Sequence, residues 1–293
     1  MTAIDEMAES LTARAAAPHG LAWQALADQV LAMEIDDAPT DEAKNRLWFL
    51  RQYVAMVRAY VAAFEEMRDR RYYPAWCQLE QVEIGLKALL TNRFYDPSRF
   101  DVPGLVSRIA AWQELFPYGV FISPGMRVRR ATCSICGAAN TIDIHCGHRP
   151  SRVYAGRFCA RRLEEVELRE VSVVLKPVQK YSVLFADVDN PDRYTLVGSV
   201  VEMVGEPFAH WRAHWTFAYH PHRLFAHVPP SGPCPCGGGG LYETCCAPRP
   251  GVRRPHLDIE LERPPPADWR GARLHGYSEE QLARLENAGA SLP

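Results

Sequence analysis

Eight of the nine cysteines in this 293-residue chain fall into two clusters. The tighter one reads Cys234-Pro-Cys236, eight residues, then Cys245-Cys246, with Gly237 to Gly240 between the pairs. Short Cys pairs joined by a flexible loop bring four thiolates to the corners of a tetrahedron, about 2.3 Å from one zinc ion. Two disulfides are the alternative, and the redox compartment decides between them. The second cluster opens with Cys133-Ser-Ile-Cys136-Gly, the form of a zinc knuckle, in which Gly137 permits the turn that aims backbone N–H groups at sulfur. Cys146-Gly-His148 and then Cys159 follow, so five donors compete for four places. Cys133, Cys136, Cys146 and His148 form two compact chelating pairs and are the favoured set. Cys159 competes with Cys146, because it would open a helix over residues 159–168; His145 is a weaker substitute. Four protein ligands leave no open position for water, so both sites read as structural, and no catalytic residue is assigned. Two zinc ions are expected.

Composition narrows what these sites serve. The chain is 47% hydrophobic and 23% charged, the range of a soluble globular protein, and long enough for one large domain or two ordinary ones. A net charge of −2 argues against a dominant electrostatic footprint for nucleic acid. No run approaches eighteen apolar residues, and Asp5, Glu6 and Glu9 stand where a secretory signal would be basic and then apolar. A cytoplasmic location is expected, and reduced thiols there favour metal over disulfide.

The elements that position the clusters can be read from periodicity. Residues 1–117 read as a helical bundle. A first helix covers residues 21–35, and Thr40 caps a long second one in which Leu47, Leu50, Val54, Val57, Val61 and Phe64 recur at spacings of three and four. Its end is expected near Arg71, a third helix opens at Pro74, and a short one spans 104–115. Residues 118–228 read as a zinc-containing α+β domain, with strands over 120–122, 128–131, 170–175, 181–185, 194–204 and 214–219. Residues 229–248 form the C-terminal zinc motif after a Pro/Gly hinge, and 249–293 a Pro/Arg-rich extended tail with a short helix from Ser278. The fold class is α+β: an N-terminal helical bundle, a small zinc-stabilised β-rich domain and a short C-terminal zinc knob.

Other residues carry groups able to do chemistry. In a strand, His210, His214, His220 and His222 share one parity and line one face, among Trp211, Trp215, Phe217 and Tyr219; a binding face explains them better than a metal or base site. Glu80 and Glu83 lie side by side on a helix, and a solvated ion pair of Glu83 with Lys87 accounts for them better than acid–base work. Ser172 needs no role beyond its strand, and Cys77 fits an apolar helix face. Asp187, Asp189 and Asp192 lack the Gly and closing Glu of a calcium loop.

Two resemblances add to this reading. Pro233-Cys-Pro-Cys-Gly-Gly-Gly-Gly-Leu-Tyr-Glu-Thr-Cys-Cys246 resembles the SEC-C metal-binding motif found at the C-terminus of the bacterial translocation ATPase SecA and on many other bacterial proteins. The resemblance implies a small zinc-bound knob that contacts other proteins. The usual motif carries lysines between its Cys pairs, where this chain has Gly239, Gly240, Leu241, Glu243 and Thr244, so the basic docking surface and its partner are not carried over. The segment from Cys146 to Cys159, with Glu170-Val-Ser-Val-Val-Leu-Lys-Pro177, is similar to uncharacterised bacterial zinc proteins, with Ser151 where that pattern has Gly. The Glu-Val-Ser-Val-Val phrase is also similar to a strand of phage prohead proteases. The expectation is a bacterial zinc-binding adaptor that docks a protein partner. Its rivals are a hydrolase, phage-protease-like or built on the His segment, and a nucleic-acid-binding zinc protein using Arg127, Arg129, Arg130, Arg157, Arg161 and Arg162.

Overall fold

A computed structural model describes residues 3–13, 20–140, 146–184 and 190–269, with the side chains of Ala3, Pro191 and Asp192 excepted. The chain is α+β and divides into two compact units. The first runs through Val201 and takes in Glu206–Phe208; the second comprises Glu202–Gly205 and the described residues from Ala209 on.

The first unit is built on helices α1 (Ala3–Ala13), α2 (Leu21–Ala32), α3 (Asp41–Arg68), α4 (Tyr72–Leu90) and α5 (Val102–Leu115). Thr40 caps α3, its hydroxyl accepting from the Ala43 N–H at 3.1 Å, and Asp101 caps α5 by accepting from the Gly104 N–H at 2.9 Å. The α3 row of Leu47, Leu50, Val54, Val57 and Phe64 is buried, as the three-and-four spacing requires. That helix stops at Arg68, earlier than the basic cluster suggests, because Arg70 takes a left-handed φ of 62°. Buried Tyr60 donates to the Pro207 carbonyl at 2.7 Å and accepts from Trp112 Nε1 at 3.1 Å, tying α3, α5 and residue 207 together.

Strands β1 (Phe121–Cys133) and β4 (Arg161–Val174) pair antiparallel as a long two-stranded ribbon. Three register irregularities interrupt it, so the sequence shows only fragments of the two strands. The helix expected over 159–168 is therefore a strand. Leu163, Val166 and Leu168 sit at near-alternating positions that a ladder satisfies as readily as a helix. Between the strands, β2 (Val153–Tyr154) and β3 (Arg157–Phe158) form a tight hairpin. Residues 194–204, read as a strand, form α6 (Thr195–Val204), which buries Val197, Val200, Val201 and Val204 at helical spacing. Packing of that stripe overrides the β preference of valine.

In the second unit β5 (Trp211–His220) pairs antiparallel with β6 (Val252–Leu261), and the one-turn α7 (Tyr242–Cys245) lies between them. Residues 252–261, read as extended tail, thus complete a sheet. Among the described residues no third strand pairs with this ribbon, so β6 is an edge strand, where proline is tolerated. His145, Asp187, Asp189 and the terminal helix expected from Ser278 lie outside the described residues.

Candidate metal centres

The ligand atoms of Cys133, Cys136, Cys146 and His148 all lie within 4.8 Å of one another, and so do those of Cys234, Cys236, Cys245 and Cys246. These are two groups positioned to hold metal ions. A tetrahedral ion with ligand bonds of about 2.3 Å separates its sulfurs by roughly 3.8 Å. The Cys236 and Cys245 sulfurs stand 3.6 Å apart, close to that edge and far beyond a bond of about 2.05 Å. All nine cysteines are free thiols.

The C-terminal centre is shaped by its backbone. The Cys234 N–H donates to the Gly240 carbonyl at 2.8 Å, closing the glycine loop, and Pro233 bridges to Leu241. One helical turn then presents Cys245 and Cys246. Gly237 and Gly239 adopt φ of 77° and 78°, the left-handed region in which a side chain is strained. The Gly238 N–H donates to Cys236 Sγ at 3.4 Å and holds that thiol down at about 7. Neighbouring Cys236 and Cys234 push the Cys245 thiol up to about 12. Cys234 and Cys246 are buried beside Leu224, Phe225 and Val252, so the knob has an apolar foundation. His222 leaves the expected histidine row altogether. It lies in a 3-10 turn after β5, its Nδ1 2.6 Å from the Tyr242 hydroxyl and its Nε2 2.8 Å from the Arg249 carbonyl. Arg254 on β6 donates to the Pro235 carbonyl at 3.1 Å. Sequence reading missed both braces, because they depend on a strand pairing with no local signal.

The central centre sits where β1 ends. Cys133 is the last residue of that strand, and the knuckle turns through Gly137, whose N–H donates to the Cys133 carbonyl at 2.9 Å. Backbone N–H groups of Cys136 and Ile135 hold the Cys133 thiol down at about 6. His148 packs edge-on against Tyr154, and its buried Nδ1 has no hydrogen-bond partner, which leaves that nitrogen's lone pair open to a metal ion. Cys159, just before β4, places its sulfur 4.0 Å from that of Cys133, a separation that also suits a tetrahedral edge. Burial pushes its thiol up to about 11, with Cys133 adding to the rise. Ser151 has a left-handed φ of 65° and donates its N–H to the Cys159 carbonyl at 2.8 Å. The β2–β3 hairpin fastens the centre to the helices. Trp48 stacks on Phe158 at 5.5 Å, and the Gly156 N–H donates to Asn45 Oδ1 at 2.8 Å.

Glu80, Glu83 and the histidines of β5 take structural places. Both oxygens of buried Glu80 accept backbone N–H groups, from Lys180 and from Tyr181. Glu83 pairs with Lys87 at 3.0 Å and Lys180 at 2.5 Å. His214 and His220 share a face of β5 with His256 and Asp258 of β6, where His256 pairs with Asp258 at 3.2 Å. No third group of metal donors converges among the described residues. Several flanking arginines are engaged: Arg129 with Glu167 at 2.8 Å, Arg130 with Glu164 at 2.7 Å, Arg157 with the Ile135 carbonyl and Arg161 with the Asn140 carbonyl. No helix among the described residues is long and apolar enough to cross a membrane.

Compared with protein families, characterised proteins and solved structures, the chain has no match.

Proposed function

We propose that this chain is a bacterial zinc-binding adaptor of the cytoplasm whose two closed zinc sites fix surfaces for a protein partner. The convergence of two four-donor groups carries the reading. Thiolate-rich sets of this kind favour zinc over hard cations, which prefer oxygen. The proposed ligands are Cys133, Cys136, Cys146 and His148 in one site, and Cys234, Cys236, Cys245 and Cys246 in the other. When bound, each ion supplies cross-links that small apolar clusters cannot supply alone, and its binding free energy becomes folding free energy. The residues' own part is to hold the donors in place: left-handed glycines turn the chain, backbone N–H groups stabilise thiolate, and Tyr242, His222 and Arg254 brace the C-terminal loop. Two four-ligand sites without an open position favour binding over catalysis. The resemblance of residues 233–246 to the SEC-C motif supports a docking role for the knob.

Metal analysis of the purified chain tests this directly. Two zinc ions per chain are expected, and cobalt substitution should give strong thiolate-to-metal charge-transfer absorption. Fewer than two ions, or a different resident metal, overturns the assignment. Removing the chain after Pro230 should abolish partner capture, and capture that persists counts against the knob as the docking element.

A further inference from the structure

The central centre is offered one donor more than a tetrahedral ion takes. Beyond its group of four, buried Cys159 places its sulfur 4.0 Å from that of buried Cys133, near the roughly 3.8 Å edge of a tetrahedral thiolate site. Cys146 and Cys136 are also close enough to act on it electrostatically. The backbone fixes it there. Ser134, the second residue of the knuckle, clasps both neighbours of Cys159. Its hydroxyl donates to the Phe158 carbonyl at 3.1 Å and accepts from the Ala160 N–H at 2.8 Å. Its own N–H donates to the Ala160 carbonyl at 3.0 Å, and the Cys159 N–H donates to the Arg152 carbonyl at 2.7 Å. His148 is held differently. It lies between exposed Gly147 and exposed Arg149, and its ring leans on Tyr154, whose hydroxyl accepts from the Arg149 N–H at 3.0 Å. Two donors thus contend for the fourth place, a buried thiol on pinned backbone and an imidazole on an exposed loop.

We propose that Cys159 is the reserve ligand of this centre, taking the fourth place when His148 leaves it, so that the ion stays bound while the loop carrying His148 is released. This rests on the reading of the centre as a zinc site. In the exchange the bond between the His148 nitrogen and the metal breaks and one from Cys159 Sγ forms. Cys159 gives its thiol proton to solvent, and nothing is oxidised or reduced. Three thiolates with one imidazole and four thiolates are both ordinary tetrahedral zinc sets. They differ by one unit of charge and by whether residues 147–150 are tied to the ion. The surface around His148 and Arg149 therefore has two forms that share one bound metal. The C-terminal group has no such spare thiol: the ninth cysteine, Cys77, lies on α4 in the other compact unit.

Metal content of the full-length, zinc-loaded chain after gel filtration tests this. His148→Ala is expected to keep both ions, and so is Cys159→Ser, whereas His148→Ala combined with Cys159→Ser keeps only the C-terminal one. Cobalt-loaded His148→Ala should absorb more strongly than wild type in the thiolate-to-metal charge-transfer region, because a sulfur has replaced a nitrogen. The retained C-terminal ion and an unchanged far-UV circular dichroism spectrum establish that the double variant is folded. A second measurement leaves the ligands in place: diethyl pyrocarbonate, on labelling His148, should leave both ions on wild type and release the central one from Cys159→Ser. Loss of the central ion from His148→Ala, with wild type holding two, overturns the proposal alone. So does a double variant that keeps both ions, or release from wild type by the reagent. Wild type without a central ion overturns the zinc reading and the proposal with it.

Discussion

A thiol must lose its proton before it can bind a metal, so the local environment of each sulfur decides how pH acts on the clusters. Backbone N–H groups hold Cys133 at about 6 and Cys236 at about 7, so both are substantially thiolate at neutral pH, and protons compete for them as pH falls through those values. Cys245, pushed up to about 12, must also shed its proton on binding, so metal-linked stability falls with pH throughout the interval from 7 to 5. With about 1.4 kcal/mol per pH unit for each linked proton, the Tm of the metal-loaded chain should drop by about 10 °C or more over that interval. A constant Tm would argue against thiolate ligation. In the central site, Cys159→Ser should leave one ion bound there, whereas Cys133→Ser should release it, as read by metal content after gel filtration. Retention by Cys133→Ser would sink the ligand assignment. Glu83 obeys a different balance. Burial pushes its carboxyl up, but hydrogen bonds from Lys180 and Lys87 outweigh burial and hold it below the usual carboxylate range. Its contribution is present above that range and is lost as pH falls through the lowered value. Glu83→Gln should therefore cost about 0.5–1 kcal/mol in urea unfolding at pH 7, and the difference from wild type should vanish in acid.

Among the elements, the β2–β3 hairpin couples the central metal centre to α3. Ala155 and Gly156 both have positive φ, 47° and 74°, matching the mirror-image turn that a two-residue hairpin favours. A Cβ at Gly156 would run into the Ile35 side chain and the α3 residue Lys44. Gly156→Ala should cost about 1–3 kcal/mol through strain and displacement of the hairpin from the helix. If the hairpin holds the centre, the same variant should also release the central ion faster to a chelator, with the C-terminal ion unaffected. Equal release rates for both ions would separate the hairpin from the site.

At the level of the whole molecule, the two metal centres belong to different compact units, the central one to the first and the C-terminal one to the second. Cooperativity is a property of a shared core, so sites in separate cores act independently unless an interface links them. Cys246→Ser should abolish one ion and leave the other at full occupancy, with the helical signal at 222 nm nearly unchanged. Loss of both ions in that variant would show that the two units fold as one.

How much could be read in advance depended on distance along the chain. The long helices, the α+β class and both Cys clusters were legible, because helical stripes, caps such as Thr40 and chelating pairs lie within a few residues. The termini of α3 and α4 were less so, since a single left-handed residue ended the first. Residues 194–204 misled because a valine-rich stretch suits a strand locally, and only the core beneath it selects the helix. Residues 159–168 misled in the opposite sense, because bulges blurred a two-residue period into a helical one. The pairing of β5 with β6 and the bracing of the C-terminal knob by Tyr242, His222 and Arg254 had no local signature. The sequence by itself determined which atoms are able to hold metal, because ligand chemistry and short-loop chelation are local. Only the tertiary structure decided which donors meet, because long-range pairing and burial settle it.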